Sequence, residues 1–339
     1  MIPANPVARK ATVQSPSNIA FIKYWGARDL SRAIPENPSL SMTLSTCWSR
    51  CTVEHRPEAT GHEILWRGGE GFELAPPSFA DRVAAHLDRL RDWAGVTGAF
   101  RVATENSFPS AAGLASSASG FSALTLAVLG ALGREVSVAE QSALARSSGS
   151  GSAARSVIGG YVVWPAGPDE SESYAAQLLP ASHWDLRDVI ALVETSHKEV
   201  SSLQGHGRAR TSPYFEKRQQ DLPGRFERLR RALEERDFPV FAEVLEEEAI
   251  DLHLIGMSSK PPIFYWKPAT LAVLEEVRRL RRSGAFAAST MDAGANVHVI
   301  CTPEAEEAVA AALAELPGVE AVIRDRVGNG PEYLQEHLL

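Results

Sequence analysis

The chain contains little cysteine, and the spacing of its cysteines excludes a zinc motif and a disulfide framework. Its 339 residues include three cysteines, Cys47, Cys51 and Cys301, whose spacing matches neither a zinc motif nor a disulfide framework. The histidines also lack ligand spacing, so no transition-metal site is expected. This composition is typical of a protein from a reducing compartment.

Acidic residues outnumber basic ones, and long apolar runs are scarce. The formal net charge is -8, which opposes binding to nucleic acid, and no basic cluster lies among aromatic residues. No run of about eighteen apolar residues occurs, and residues 1–13 lack the apolar stretch of a signal peptide. We therefore expect a cytoplasmic protein with no nucleic-acid or membrane partner.

Hydrophobic periodicity predicts an α+β order in two domains, 1–182 and 183–339, for which a chain of 339 residues is long enough. In the first domain we expect strands at 11–13, 39–44, 51–54, 63–66, 100–104 and 161–164, and helices at 78–93, 116–132 and 138–147. In the second we expect strands at 189–193, 287–291, 297–301 and 319–324, and helices at 213–235, 238–255 and 268–284. The run Glu246, Glu247 and Glu248 is expected to form a solvated helix face.

A loop of small residues at 105–118 leads into an apolar helix. Unhindered N–H groups at a helix N-terminus, together with the helix dipole, favour a bound anion by about 0.3–1 kcal/mol. The loop lacks the Walker A pattern, and its small residues could instead serve only close helix packing. As a phosphate cradle, it predicts a nucleotide site.

Three more segments carry groups suited to an anionic substrate, namely 18–29, 149–155 and 291–296. In 149–155 the glycines open the backbone, two hydroxyls can donate, and Arg155 offers a planar fork for carboxylate or phosphate. Taken alone, this segment could be only a flexible helix start.

Two charged residues in the remaining segments are candidates for chemistry. Asp292 precedes Gly294 in a predicted turn, where it is either a base facing a cleft or simply a turn cap. Lys23 has apolar neighbours, so its ammonium either snorkels to solvent or takes part in the reaction.

Together these segments resemble the mevalonate diphosphate decarboxylase family, within the superfamily of galactose, homoserine, mevalonate and phosphomevalonate kinases. The resemblance runs in register to about residue 325 and is carried by 18–26, 106–118, 149–155, 198–205, 261–265 and 291–296. It implies an N-terminal ribosomal-S5-like α/β domain and a C-terminal ferredoxin-like α+β domain, with the active site in the cleft between them.

The resemblance also implies a reaction. Such enzymes phosphorylate the 3-hydroxyl of a 5-phosphorylated mevalonate with MgATP, then release phosphate and carbon dioxide to leave an alkene. Asp292 would accept or hold the hydroxyl proton, Lys23 would keep Asp292 ionised, and Arg155 would bind the substrate carboxylate. Some relatives that only phosphorylate lack the Asp and Arg pair, so the presence of both favours decarboxylation.

Further ligand contacts follow from the same resemblance. Substrate contacts are expected at Asn18, Tyr24, Trp25, Ser150, Gly151, Ser152, Arg155, Ser202 and Leu203. Contacts with the ATP phosphates, bridged by Mg²⁺, are expected at Asn106, Ser107, Ser110, Ala112, Gly113, Leu114, Ala115, Ser116 and Ser117. No Mg²⁺ ligand is assigned, and a homodimer is expected because the family is commonly dimeric.

The chain departs from the family at Ala27. Diphosphate-using members resemble Lys-Tyr-Trp-Gly-Lys at this point, and the second lysine reaches the terminal phosphate. Since a charge-assisted hydrogen bond contributes about 1.5–3 kcal/mol, its loss is expected to weaken diphosphate binding roughly tenfold to a hundredfold. Members that decarboxylate mevalonate 5-phosphate to isopentenyl phosphate also lack this lysine.

The expected substrate is therefore mevalonate 5-phosphate. Ile64 points the same way, because many diphosphate enzymes have an arginine near this position. In the alternative, the substrate is mevalonate 5-diphosphate, the product is isopentenyl diphosphate, and Arg28, Arg67 or Arg208 replaces the missing cation. A non-catalytic ligand-binding relative is a more remote alternative.

Overall fold

A computed structural model describes residues 9–69, 71–109, 116–167, 172–195 and 199–339. Within these residues the chain forms one eight-stranded sheet, one four-stranded sheet and a short two-stranded hairpin, with helices packed on both larger sheets. This architecture confirms the predicted two-domain α+β class.

The eight-stranded sheet is mixed and is built mostly from the first half of the chain. Its strands, in sequence order, are β1 (Lys10–Ile22), β4 (Ser39–Arg56), β5 (Glu63–Arg67), β6 (Phe72–Leu74), β7 (Ala99–Asn106), β8 (Tyr161–Trp164), β9 (Ala176–Leu179) and β14 (Glu332–Leu334). The spatial order is β14-β1-β4-β7-β5-β6, while β8 pairs with β4 and β9 with β8. The hairpin between β1 and β4 consists of β2 (Ala27–Asp29) and β3 (Ile34–Pro35).

Three helices belong to the first half, namely α1 (Pro77–Ala94), α2 (Ser116–Ala131) and α3 (Val138–Arg146). Helix α2 packs on β1 and β4, and α1 packs on α2. The sequence of α2 is apolar on almost every side, so the helix is buried along nearly its whole length. Ser116 and Ser117 at the start of α2 are partly exposed, and the helix lies against the segment that carries Arg155.

The four-stranded sheet is antiparallel, in the order β11-β12-β10-β13. Its strands are β10 (Arg187–Leu192), β11 (Ala287–Thr290), β12 (Val297–Cys301) and β13 (Ala321–Arg326). The helices of this half are α4 (Ser202–Arg208), α5 (Phe215–Glu235), α6 (Phe238–Ser258), α7 (Pro268–Arg282) and α8 (Pro303–Ala314). Apolar residues of α7 and α8 share one core with this sheet, and α6 packs against β11.

The two sheets share a hydrophobic core. Phe21 of β1 and Leu40 of β4 lie in one cluster with Phe241 of α6 and Ile190 of β10. The predicted domain boundary near residue 182 falls between β9 and β10 and stays a prediction. Strand β14 pairs with β1, so the end of the chain returns to the first sheet.

The structure corrects the expectation for the glutamate run at 246–248. Glu248 is not part of a solvated face, because its side chain is fully buried on α6 beside residues such as Leu245. The prediction failed because the charge of Glu248 is neutralised by arginines from α5, a neighbour that a local charge pattern does not reveal. Among the described helices, none combines the length and apolar character that a membrane crossing requires.

Candidate active site

Lys23 directly follows β1, at the point where the pairing of β1 with β4 ends. Its side chain is 1% exposed, and Nζ donates to Oδ1 of Asp292 at 2.8 Å and to the carbonyl of Ala20 at 2.6 Å. Asp292 follows β11 in a short turn, in which the N–H of Gly294 donates to the Asp292 carbonyl at 2.7 Å. The side chain of Asp292 is 30% exposed. The ion pair therefore presents one accessible carboxylate backed by a buried ammonium.

The two groups influence each other's protonation. Burial lowers the pKa of Lys23, although the charge and hydrogen bond of Asp292 act in the opposite direction. Burial alone would raise the pKa of Asp292, but the Lys23 ammonium, together with His298 and Arg155, outweighs it, so the net pKa is lowered. Asp292 is therefore ionised at neutral pH and can accept a hydrogen bond from a hydroxyl.

Arg155 follows a short 3₁₀ turn, Gly151–Ala154, and is almost completely buried. Its Nε and Nη2 donate to Oδ1 of Asn18 at 3.2 and 3.1 Å, and its Nη1 donates to Oγ of Ser39 at 2.7 Å. Burial lowers the pKa of Arg155 to about 10, and the guanidinium remains charged at neutral pH. These contacts leave a further N–H on Nη1 and on Nη2, a pair suited to the two oxygens of a carboxylate.

The segment before Arg155 touches the start of α2. Ser150 Oγ donates to Ser117 Oγ at 3.1 Å, so the two predicted ligand-binding segments are in direct contact. Ser152 offers its carbonyl to Nδ2 of Asn18 at 3.4 Å. Ser116 begins the helix. Five of the predicted ATP-contacting residues precede Ser116 and lie outside the described part of the chain: Ser110, Ala112, Gly113, Leu114 and Ala115.

Two other predicted ATP contacts have structural partners. Asn106 Oδ1 accepts from Ser49 Oγ at 2.6 Å, and Ser107 Oγ donates to the Thr46 carbonyl at 2.7 Å. Ser107 Oγ also accepts from the N–H of Trp48 at 2.9 Å. Both side chains thus fasten the end of β7 to β4, and a contact with ATP stays a prediction for each.

Tyr24 and Gly151 pack against each other close to Lys23 and Arg155 in the sequence. A Cβ on Gly151 would lie 2.7 Å from the Tyr24 ring and 2.8 Å from that of Trp164, so only glycine fits this approach. Burial raises the pKa of Tyr24 above the ordinary tyrosine value, so its hydroxyl stays protonated and can donate a hydrogen bond.

The other three predicted substrate contacts differ in exposure. Trp25 is 1% exposed and belongs to a small core cluster with Phe215. Ser202 and Leu203 begin α4 and are exposed. A substrate contact stays a prediction for all three, and for Trp25 the structure shows a packing role.

Sequence reasoning assigned no mechanistic role to His206, which the structure places beside the site. Its ring packs against that of Tyr24 at an interplanar angle of 34°, with centroids 4.1 Å apart, and its Nδ1 accepts the N–H of Gly26 at 3.1 Å. Burial, followed by the charge of Arg218, lowers the pKa of His206 to about 3, so the imidazole is neutral. Gly26 itself has φ of 92°, a left-handed conformation that favours glycine.

Sequence reasoning also missed the side chains that hold the backbone of Lys23. They are Glu248, Arg218 and Asn37, and all three are buried. One signal was available, because Glu248 lies four residues after Val244 and four before Leu252, on the apolar face of its helix.

A cavity of about 590 Å³ adjoins the turn that carries Asp292. It is lined by Gly294, Ala295 and Asn296 of that turn, and by residues from α4 and the loop before α7, including Arg208, Tyr265 and Lys267. Among the described residues, no group of three or more His, Cys, Asp or Glu side chains is arranged to hold a metal ion.

Two family models match the chain. The diphosphomevalonate decarboxylase-like N-terminal domain matches residues 15–175, and the mevalonate 5-diphosphate decarboxylase C-terminal domain matches residues 188–327. Together they include Lys23, Arg155 and Asp292.

Curated relatives are similar over nearly the whole chain. A diphosphomevalonate decarboxylase from Candida albicans is 34% identical over 358 residues, which cover 97% of this chain and 99% of the relative. A phosphomevalonate decarboxylase from Haloferax volcanii is also 34% identical, over 328 residues that cover 96% of this chain and 98% of the relative.

Solved structures share the fold. The mevalonate diphosphate decarboxylase from Staphylococcus aureus superposes with a TM-score of 0.90 at 29% identity, covering 96% of this chain and 98% of that one. A structure described as MDDEF in complex with MVAPP, AMPPCP and magnesium superposes with a TM-score of 0.89 at 32% identity, covering 96% and 99%.

The fold is that of the superfamily of galactose, homoserine, mevalonate and phosphomevalonate kinases, with the site residues contributed by both sheets. Within it, this chain belongs to the mevalonate diphosphate decarboxylase family.

Proposed function

We propose that this chain is an ATP-dependent decarboxylase of a 5-phosphorylated mevalonate. The observation that carries the proposal is the Lys23–Asp292 ion pair at 2.8 Å, which lies close enough to Arg155 for the guanidinium charge to lower the pKa of Asp292. Family membership supports it, because the matching relatives are named decarboxylases.

The carboxylate of Asp292 faces the reacting hydroxyl in this proposal. Because Asp292 is ionised and partly exposed, it can hold the proton of the substrate 3-hydroxyl and orient the oxygen for phosphoryl transfer. The Lys23 ammonium fixes the carboxylate from behind and offsets negative charge that develops on the transferred group.

Arg155 binds the carboxylate that departs as carbon dioxide. Its guanidinium is held rigid by Asn18 and Ser39, so the remaining N–H donors point in a fixed direction. Fixing the carboxylate aligns its carbon–carbon bond with the bond to the phosphorylated 3-oxygen, and loss of both groups then leaves the alkene.

We propose MgATP as the phosphoryl donor. The MDDEF structure is described with AMPPCP and magnesium, which supports the same cosubstrate here. Helix α2 offers its positive end beside Ser117 and Ser150, an arrangement that suits phosphate oxygens. Bound Mg²⁺ would neutralise phosphate charge, and the predicted contacts at 110–115 belong to this proposal.

The comparisons support the diphosphate better than the monophosphate as substrate. The relatives from Candida albicans and Saccharomyces cerevisiae are named diphosphomevalonate decarboxylases, and the MDDEF complexes contain MVAPP. Sequence identity does not separate the two substrates, because the Haloferax volcanii phosphomevalonate decarboxylase is as similar as the Candida albicans enzyme.

The residue at position 27 favours mevalonate 5-phosphate, and we propose it as the substrate. Ala27 carries no charge, and two arginines that could replace a lysine there have other partners. Arg28 donates to the carbonyls of Pro35 and Gly167. Arg67 lies over the Phe72 ring, 5.3 Å from its centroid. Arg208 lines the cavity and is the remaining candidate for a replacement cation.

The prediction drawn from Ile64 loses its support. The side chain of Ile64 is 6% exposed and belongs to the core beneath α1, so this position does not face a ligand. The substrate preference therefore depends on Ala27.

The substrate proposal is tested by kcat/KM for mevalonate 5-phosphate and 5-diphosphate in wild type and Ala27→Lys, with Ala27→Gln as the uncharged control. We expect wild type to prefer the monophosphate. The lysine should raise relative kcat/KM for the diphosphate roughly tenfold to a hundredfold, while glutamine should not. A wild-type preference for the diphosphate, or an unchanged ratio in Ala27→Lys, would remove Ala27 as the determinant.

Two further properties remain proposals. We propose a cytoplasmic homodimer, since cysteine use suits a reducing compartment and the family is commonly dimeric. Sedimentation equilibrium on the purified chain tests the dimer, and a mass of one chain would contradict it.

A further inference from the structure

The backbone of Lys23 is held by side chains rather than by a strand. Pairing of β1 with β4 ends at Ile22, so the peptide groups of Lys23 need other partners in a buried position. The N–H of Lys23 donates to Glu248 Oε1 at 3.0 Å. Its carbonyl accepts from Arg218 Nη2 at 3.0 Å and from Asn37 Nδ2 at 2.9 Å.

These side chains form one buried charge network between α5 and α6. Glu248 is fully buried and pairs with Arg218 through Oε1 and with Arg225 through Oε2, the latter at 2.6 Å. Arg225 is also paired with Glu247 and Asp251, at 2.7 Å in each case. Among these groups, Glu248 and Arg218 touch Lys23, whereas Arg225 contacts only the carboxylates.

Stability alone does not explain a buried carboxylate at this position. Well-packed apolar side chains of similar volume are often as stabilising as a buried ion pair, or more so. What an apolar pair lacks is the ability to accept the N–H of Lys23 and to donate to its carbonyl. The contacts of Glu248 and Arg218 therefore fix the residue whose ammonium meets Asp292.

We propose that Glu248 and Arg218 are positioning residues for Lys23. They hold its peptide groups from both sides, so that Nζ lies on Asp292 when the substrate hydroxyl arrives. This inference rests on the proposed function, in which Lys23 acts at the reacting centre. Its structural part, the dependence of the Lys23 position on Glu248 and Arg218, is independent of which substrate is used.

Arg218→Met and Arg225→Met form a matched pair of variants. Each variant removes a buried α5 guanidinium that pairs with Glu248, but only Arg218→Met also removes a contact with Lys23. We expect Arg218→Met to lower kcat about tenfold to a hundredfold with little change in KM for ATP, because small displacements of catalytic groups have effects of this size. Arg225→Met should lose comparable stability to urea but keep kcat near the wild-type value.

Glu248→Gln is the second variant, for use if Arg218→Met does not fold. It keeps an acceptor for the Lys23 N–H but removes the charge that pairs with Arg218, so kcat should fall. Arg218→Lys, which keeps a cation, should lose less activity than Arg218→Met. Equal losses of kcat in the two methionine variants, or a loss of stability with unchanged kcat in Arg218→Met, would overturn the positioning role.

Crystal structures of the same variants separate this inference from the proposed function. If wild type releases no carbon dioxide from either mevalonate phosphate, the proposed function fails. The positioning role is then decided by the Lys23 Nζ to Asp292 Oδ1 distance, which is 2.8 Å in the wild-type chain. We expect that contact to be broken in Arg218→Met and kept in Arg225→Met, and an intact contact in both would contradict the inference.

Discussion

At the residue scale, the site combines three charged groups whose environments differ. Asp292 is 30% exposed, whereas the side chains of Lys23 and Arg155 are almost completely enclosed. The buried cations keep Asp292 ionised, and its carboxylate is the most exposed of the three charged groups. The accessible carboxylate of Asp292 is therefore flanked by the fixed positive charges of Lys23 and Arg155.

Asp292→Asn should abolish catalysis while leaving nucleotide binding nearly intact. An amide does not accept the proton of the 3-hydroxyl, and general base contributions are typically about a hundredfold to ten-thousandfold. ADP release measures the loss, and calorimetric titration with an ATP analogue measures binding. Asp185→Asn, an exposed carboxylate that pairs with Arg187, is the control. Decarboxylation retained in Asp292→Asn would refute the assigned role.

Arg155→Lys should lower kcat/KM for the mevalonate substrate roughly tenfold to a hundredfold, since lysine loses the bidentate contact worth about 1.5–3 kcal/mol. Arg146→Lys is the matched control, because Arg146 is equally buried but donates to the carbonyls of Ser173 and Arg32. Steady-state kinetics on both variants decide the matter, and an equal loss in both would indicate a general cost of removing a buried arginine.

At the element scale, the strands and helices with clear periodicity were predictable, and elements defined by distant partners were not. The helix expected at 138–147 was found as α3, beginning behind the Ser137 cap. In contrast, β4 is a single strand of 18 residues where two short strands were expected. Its middle lacks alternation because its pairing with β1 shifts register between Pro16 and Asn18.

The site divides in the same way. Lys23, Arg155 and Asp292 were predicted as site residues because each lies in a local motif of a known family. Glu248 and His206 were assigned no role at the site, since their contacts with Lys23 and Gly26 join residues that are far apart in the sequence. Such contacts cannot be predicted from the local sequence, although Glu248 stands out because it interrupts an apolar helix face.

Asp325 of β13 supports the shifted part of β4. Its carboxylate accepts the N–H groups of Ser45, Thr46 and Cys47 at 2.8 to 2.9 Å. Asp325→Ala should lower the free energy of unfolding by about 3 kcal/mol or more, because hydrogen bonds to a charged group contribute about 1.5–3 kcal/mol each. Urea denaturation compared with Asp185→Ala measures this, and equal midpoints would contradict the role.

At the scale of the whole molecule, stability should depend on pH through buried histidine. His86 lies between α1 and α2, fully buried, with Nε2 at 2.8 Å from Thr125 Oγ1. Burial, followed by the charge of Arg89, lowers the pKa of His86 from 6.5 to about 3. Below pH 6.5 the unfolded chain binds a proton that the native chain does not, so stability is lost as pH falls from 6.5 toward 3.

His86→Gln should therefore make stability less sensitive to acid. The wild type should lose about 1.4 kcal/mol more than the variant for each unit that pH falls within this window. Urea unfolding of both chains at about pH 7.5 and about pH 5.5 measures the difference, since all other groups titrate alike. Identical losses would show that His86 is protonated in the native state.

The two sheets bring Asp292 to Lys23 and Arg155, and the resulting arrangement is the basis for the proposed decarboxylation. The most direct test follows ADP and carbon dioxide together when the purified chain is supplied with MgATP and either mevalonate 5-phosphate or mevalonate 5-diphosphate. We predict that ADP and carbon dioxide are released in equal amounts from at least one of them, with the monophosphate preferred. Release of ADP without carbon dioxide would show a kinase that stops after phosphorylation and would contradict the proposed function.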